Sequence, residues 1–441
     1  MGKFYGKFVL FLVNQPNILY SKGKSMKILI KQATVVNAGS KFNKKKVDVL
    51  IENGIIAKVS ESPLTVEADK IIESDGLHLS IGWADITANF ADPGFEYKED
   101  MASGAAAAQM GGYTAVGVQP TTQPALHTKA EIEYVVAKSA NNAVEIWPIG
   151  SLFVANEGKD LAELYDMKLA GAVAFSDAKK PIADAGALSR AMQYAGGINT
   201  PIMVLPYDKT VSPGGMVNEG EVATALGLKG IPALAEELMV ARNIKLAEYN
   251  NAPLHFTAIS TEGSVKLIRE AKAAGLKITA GVNFYNLFQT DDALKGFDSN
   301  FKVSPPLRTQ ADVDALVEGL KDGTIDIINA DHNPENIEQK DVEFDFAAYG
   351  MIGFEVAFAA LNTYVAPKIG LDKLITILTE NPRKLFARAL PELEEGAKAN
   401  LTLFNPTEKF TFEKANIRSK SKNTPYIGTE FTGKVIGTVR G

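Results

Sequence analysis

The chain has 441 residues, 46% of them hydrophobic and 22% charged, an ordinary globular balance with enough length for one large barrel and a small accessory domain. The net charge of −6, with lysines scattered apart from Lys44 to Lys46, gives no basic face for a phosphate backbone, so nucleic acid is not an expected partner. The lack of cysteine excludes disulfides, thiolate nucleophiles and Cys-ligated zinc, and fits a cytoplasmic location.

At the N-terminus, Lys3 and Lys7 precede the apolar run Phe8 to Val13, which is too short to span a membrane, and no membrane association is expected. Met26 reads as the functional start because a strand pattern begins at Lys27. Residues 1–25 are then a dispensable extension, a cleaved or anchoring leader being the other reading. Residues 26–80 read as short β structure (Ile28 to Val36, Lys46 to Glu52, Gly54 to Ser60), with Asn53-Gly54 as a hairpin turn.

Over residues 81–394, apolar β-rich runs alternate with alanine-rich helical stretches, the pattern of parallel strands buried on both faces. Eight strands are predicted: Ile81 to Asn89, Thr114 to Gln119, Val144 to Phe153, Gly171 to Ser176, Pro201 to Leu205, Pro253 to Ile259, Lys277 to Val282 and Ile325 to Ala330. Helices are predicted between them over Glu99 to Met110, Lys129 to Ala140, Ile231 to Asn250, Glu262 to Ala274 and Gln310 to Lys321, with Thr128, Thr261 and Thr309 as N-caps. Eight such units predict an α/β fold, a closed (β/α)₈ barrel whose chemistry lies at the C-terminal ends of the strands. Residues 395–441 return to β character and are expected to join 26–80 in one discontinuous small β domain.

The strand-end segments carry a family pattern. Asp85-Ile-Thr-Ala-Asn-Phe-Ala-Asp-Pro-Gly94, Gly111-Gly-Tyr-Thr114 and Gln119-Pro-Thr-Thr-Gln-Pro124 resemble the dihydroorotase segments D-x-H-x-H-x-R-x-P-G, G-G-x-T and M-P-N-T-x-P. Ser304-Pro-Pro-Leu-Arg308, Asp331-His-Asn-Pro334 and Ser419-Lys-Ser-Lys-Asn-Thr-Pro-Tyr426 continue the likeness in the same order, from about residue 27 to 441. The resemblance is to the dihydroorotase branch of the cyclic amidohydrolases, and it implies an amidohydrolase-type barrel with a binuclear metal centre. Zinc in such a site takes imidazoles and bridging carboxylates and activates a hydroxide.

At the positions the family gives to metal ligands, this chain has Thr87, Asn89, Asp177, Leu205, Ala258 and Asp331. All four histidines are replaced and only the two carboxylates remain. Asp331 matches the family's general base and is read as vestigial. The substrate-binding positions are equally altered, with Ala91 for the arginine, Thr121 for the asparagine of M-P-N-T, and Ser304 for the second asparagine. Glu335 stands where the family has the last histidine of D-H-A-P-H. What survives is scaffold: Pro93-Gly94, Gly111-Gly112 and Pro305-Pro306 fix turns or allow close packing.

Independently of any likeness, the chain's four histidines, His78, His127, His255 and His332, form no local pair, the nearest two being 49 residues apart. His332 reads as a structural hydrogen-bonding residue and His255 as a core residue of a strand, with no chemistry expected of His78 or His127. Lys179 or Lys180 is the expected ion-pair partner of Asp177. Val211 to Gly220 lacks the spacing of a phosphate loop and reads as a mobile loop over the barrel mouth.

Metal-free chains of this kind imply, by resemblance, an inactive binding or scaffold partner of aspartate carbamoyltransferase in pyrimidine biosynthesis, with no cofactor and with homo-oligomerisation expected. The alternatives are an active dihydroorotase or related cyclic amidohydrolase, opening dihydroorotate to N-carbamoyl-aspartate at an unorthodox zinc site, and a small-molecule sensor that keeps the pocket alone.

Overall fold

The computed structural model describes residues 9–13, 18–19 and 26–441. Eight parallel strands form the barrel: Trp83–Ala88, Tyr113–Val118, Glu145–Gly150, Ala174–Ser176, Ile202–Val204, Leu254–Phe256, Ile278–Asn283 and Ile327–Asn329. Every predicted barrel strand is present, and each pairs in parallel with the next in the chain. The first and last strands are not paired as a ladder. A carboxylate spans the gap instead, Asp85 Oδ2 accepting from the Ala330 amide at 2.7 Å while its Oδ1 accepts from Thr87 N at 2.8 Å. One turn further on, Asn89 N donates to His332 O at 2.9 Å.

The barrel interior is filled by Ile86, Trp147, Ile149, Met203 and Ile327, with Phe386 closing its floor. A larger apolar layer between strands and outer helices includes Val116, Leu188, Val240, Ile268 and Leu316. The predicted helices are present as Met101–Met110, Lys129–Ser139, Leu234–Tyr249, Glu262–Ala273 and Gln310–Asp322. Thr261 and Thr309 cap as predicted, accepting from Ser264 N and Asp312 N. At Thr128, the amide donates to Glu131 Oε2 at 2.8 Å. The first helix instead takes its cap from Asp100, and Glu99 is turned inward beneath it. No helix of the described residues is long and apolar enough to cross a membrane.

A separate mixed sheet joins Lys27–Val35, Lys46–Glu52, Ile55–Ser60, Lys70–Ile72 and His78–Ile81 to Asn400–Thr411 and Glu430–Arg440. Its hairpin turns at Asn53 (φ 51°) and Gly54 (φ 80°), both left-handed as a two-residue turn requires. Within the segment read as an extension, Val9–Leu12 adds an antiparallel strand beside Glu430–Arg440, burying Val9, Leu10 and Phe11. Ile18–Leu19 pairs with it in turn. Residues 1–8, 14–17 and 20–25 of that extension lie outside the described residues.

The surviving turn residues have the geometry that their types suit. Gly94 sits at φ 101°, and a Cβ there would meet Gln123 O at 2.2 Å. The C-terminal Ser419 to Thr424 segment is more than a turn. Ser421 Oγ donates to Lys98 O at 2.7 Å, Asn423 Nδ2 to Asn333 O at 3.1 Å, and Glu335 N to Asn423 Oδ1 at 3.1 Å. This segment clasps the loops after the first and eighth strands together.

Candidate functional site

A narrow cleft opens at the C-terminal ends of the strands. Of the positions singled out in the sequence, Thr87, Asn89, Thr121, Ala258 and Asp331 line it, together with Gln119, Lys179, Asn283 and Asn333. Asp177, Leu205, Ala91 and Ser304 do not line it: Leu205 and Ala91 are buried apolar side chains, and Ser304 contributes a backbone carbonyl.

Asp331 sits just past the eighth strand in a left-handed conformation, φ 42°, with both carboxylate oxygens engaged. Oδ1 accepts from Lys179 Nζ at 2.6 Å, and Oδ2 accepts from the Tyr285 hydroxyl at 2.6 Å. Lys179 also donates to Ser304 O at 2.8 Å, and Tyr285 accepts from Asn283 Nδ2 at 2.8 Å. Burial and the neighbouring Asp331 carboxylate hold the Tyr285 hydroxyl well above its usual pKa, so it stays a donor. Of the two lysines expected beside Asp177, Lys179 is therefore committed elsewhere, and Lys180 points its Nζ at Ala155 O (3.4 Å) and acts on Asp177 by its charge alone. Ala178 is left-handed (φ 52°) and turns the chain between the two residues.

Asp177 faces the other way. Its Oδ1 accepts from the amides of Leu152 and Phe153, each at 3.0 Å, and its buried Oδ2 has no hydrogen-bond partner among the described residues. Burial pushes this carboxyl up to about 7, against the lowering effect of the two amides. Asp85, wholly buried at the barrel seam, is raised to about 6 by the same cause. Asn89 is engaged too: its Oδ1 accepts from Ala91 N at 3.0 Å and Thr121 Oγ1 at 2.5 Å, and its Nδ2 donates to Asn333. The hydroxyl of Thr87 and the Oε1 of Gln119 are buried without partners among the described residues.

The histidines stand apart from the cleft. His332 is buried, with Nε2 3.3 Å from Glu99 Oε2 and Nδ1 accepting from Gly353 N at 3.3 Å, its ring stacked on Phe354. His255 lies at the opposite end of the barrel. Its Nδ1 contacts Thr279 Oγ1 at 2.9 Å, Nε2 finds no partner among the described residues, and burial lowers its pKa to about 3. It is thus a half-satisfied core histidine rather than a fully bonded one.

The loop read as mobile is instead tied down. Val217–Asn218 pairs with Gly230–Ile231, Tyr349 donates to Gly215 O at 3.0 Å, and the buried Arg308 donates to Asn218 Oδ1 at 2.9 Å. Arg308, Tyr285 and Asn283 were not among the predicted site residues.

These groups do not fit a zinc ion. Zinc needs free imidazole or carboxylate lone pairs converging at about 2 Å, whereas Asp331 already carries an ammonium and a phenol, and Ala258 and Leu205 supply no donor atom. Among the described residues no three His, Asp or Glu side chains come together as metal ligands.

Residues 78–264 match the Dihydro-orotase-like family. A dihydroorotase of Acetivibrio thermocellus is 39% identical, over 93% of this chain and 97% of its own length. A dihydroorotase of Pelotomaculum thermopropionicum is 42% identical over 94% and 97%. Among solved structures, the L-hydantoinase (dihydropyrimidinase) from Arthrobacter aurescens superposes with a TM-score of 0.80 at 21% identity, over 94% of this chain and 95% of that one. At that identity the superposition speaks for the fold: an amidohydrolase barrel with its small β domain.

Proposed function

Since this chain belongs to the dihydroorotase family of cyclic amidohydrolases, we propose that it is a catalytically inactive member, retained in pyrimidine biosynthesis as a binding or scaffold partner of aspartate carbamoyltransferase. The observation that carries the inactivity is the Lys179 to Asp331 pair. Hydrolysis of a cyclic amide near neutral pH needs an activated hydroxide and a polarised carbonyl. Here the carboxylate at the family's general-base position is committed to a lysine and a tyrosine. The other acid is turned away under the backbone of residues 152 and 153. The substrate-gripping position is the buried methyl of Ala91.

The scaffold role is supported by what remains: a barrel sewn across its seam by Asp85, and mouth loops clasped by the C-terminal segment. Two measurements test the reading. The purified protein, supplied with zinc, is assayed for dihydroorotate hydrolysis and for ring closure of N-carbamoyl-aspartate, and both should be silent. Turnover in either direction establishes the active-enzyme alternative. Co-expressed with aspartate carbamoyltransferase of the same organism, the chain should elute as one larger assembly by size exclusion with light scattering, and Asp177→Ala and Asp331→Ala should leave it intact. Two separate peaks at micromolar concentration remove the scaffold role.

A further inference from the structure

The segment after the eighth strand is built over two buried ammonium groups. Lys302 and Lys340 are 3% and 4% exposed. Lys302 Nζ donates to the carbonyls of Phe344 (2.7 Å) and Asp345 (3.0 Å). Lys340 Nζ donates to those of Ser299 (2.6 Å), Ala348 (2.8 Å) and Gly350 (3.1 Å). Burying an ammonium is costly unless its protons are satisfied. These five carbonyls take five of the six protons, the Lys302 ammonium also lying over the Phe344 and Tyr349 rings, and in doing so they fix the path of residues 337–350. Ala348 N closes the loop onto Gln339 O at 2.9 Å, next to the short helix Ile337–Lys340.

This anchored loop holds apolar groups out in water. Phe346 is 80% exposed and Ile337 72%, while Phe297 packs edge-on against Phe344 and leaves half its own surface free. Apolar side chains held in solvent by an anchored loop add nothing to this chain's own core and are available for a contact. Interleaved with these groups, Glu338, Asp341, Glu343 and Asp345 are exposed, while the basic charge of the segment lies buried beneath.

We propose that the 337–346 loop is a docking surface for a protein partner whose contact face sets lysine or arginine side chains around an apolar socket for Phe346; this rests on the scaffold reading above. Aromatic anchors inside a charged rim are the usual carriers of interface energy, and the charge of the rim selects the partner. A second copy meeting this loop isologously does not fulfil the requirement, because that contact sets acid against acid.

The test titrates the full-length chain against aspartate carbamoyltransferase of the same organism. It uses Phe346→Ala, the charge reversals Asp341→Lys and Asp345→Lys, and Leu169→Ala as a control at another exposed apolar site, on the outer helix Leu164–Ala170. Phe346→Ala should weaken the Kd by about tenfold or more with an unchanged circular dichroism spectrum. The reversals should slow association and flatten its salt dependence, and Leu169→Ala should bind as wild type. If wild type assembles but Phe346→Ala and the reversals bind equally well, the docking surface is wrong and the scaffold role stands. If wild type does not assemble, both fall.

Discussion

Lys179 Nζ lies 2.6 Å from Asp331 Oδ1, across 152 residues of sequence, and places a fixed positive charge against the one carboxylate that still lines the cleft. The pair is half-sheltered, Asp331 being 3% and Lys179 36% exposed at the side chain. Lys179→Met therefore leaves a nearly buried carboxylate with the Tyr285 hydroxyl alone. A loss of about 1–3 kcal/mol in urea unfolding is expected, less than for a fully buried pair because the lysine is partly solvated. Adding Asp331→Asn should recover part of it, and a strictly additive double-mutant cycle would show that the two groups are not coupled.

Protein purified from zinc-supplemented medium should carry well under one equivalent of transition metal by elemental analysis, and a chelator should leave its Tm unchanged. Close to two zinc ions per chain would overturn the reading of the cleft.

Restoring imidazoles at two positions should not restore catalysis. In the double mutant Thr87→His and Asn89→His, Leu205, Ala258 and Ala91 still contribute no ligand or substrate contact, and Lys179 still holds Asp331. Zinc-dependent hydrolysis of dihydroorotate by this variant would show that these remaining positions matter little.

Asp177 makes stability depend on pH. Its folded pKa, about 7, lies above its unfolded value, so its contribution favours the folded state below about pH 4 and is lost as pH rises through 7. Asp85, raised to about 6, acts in the same direction. Asp177→Asn keeps an oxygen for the Leu152 and Phe153 amides and cannot ionise. It should be more stable than wild type at pH 8, by about 1–3 kcal/mol, and nearly equal to it at pH 4. Parallel unfolding curves for the two proteins across this range would remove Asp177 as the cause.

Asp85 joins the two strands that no ladder joins. Asp85→Ala leaves the amides of Thr87 and Ala330 buried without that acceptor, a loss of about 2–4 kcal/mol. Hydrogen exchange should show the amides near Ala330 opening first. Uniform exchange would mean that packing alone closes the seam.

The barrel was legible in the sequence because strands buried on both faces are nearly continuous apolar runs, as at Trp83–Ala88 and Tyr113–Val118, and because threonines cap the helices between them. Part of the cleft lining was legible as well, Thr87, Asn89, Thr121, Ala258 and Asp331 all sitting at or near strand ends. The pairing inside the cleft was not. Lys179 or Lys180 was expected beside Asp177 on proximity in sequence, but the left-handed Ala178 turns Lys179 toward Asp331, and Lys180 acts on Asp177 by its charge alone. Asn283 ends a strand and Tyr285 follows it with no charge or motif to mark them, and the carboxylate that Tyr285 meets comes from the loop after another strand. Val9–Leu12 read as an extension because the strand that receives it lies more than 400 residues away in sequence.

The clasp formed by Asn423 has a consequence for the order of events during synthesis. Asn333 O, Glu335 N and Ile352 N all take their partners from that one residue, so a ribosome that has made all eight strands has still not made the group that secures the barrel mouth. Until about residue 423 clears the exit tunnel, the loops after the first and eighth strands stay open to water and to chaperones. The nascent barrel should therefore become protease-resistant at its mouth only once the residues around 423 have emerged, and well after its outer helices.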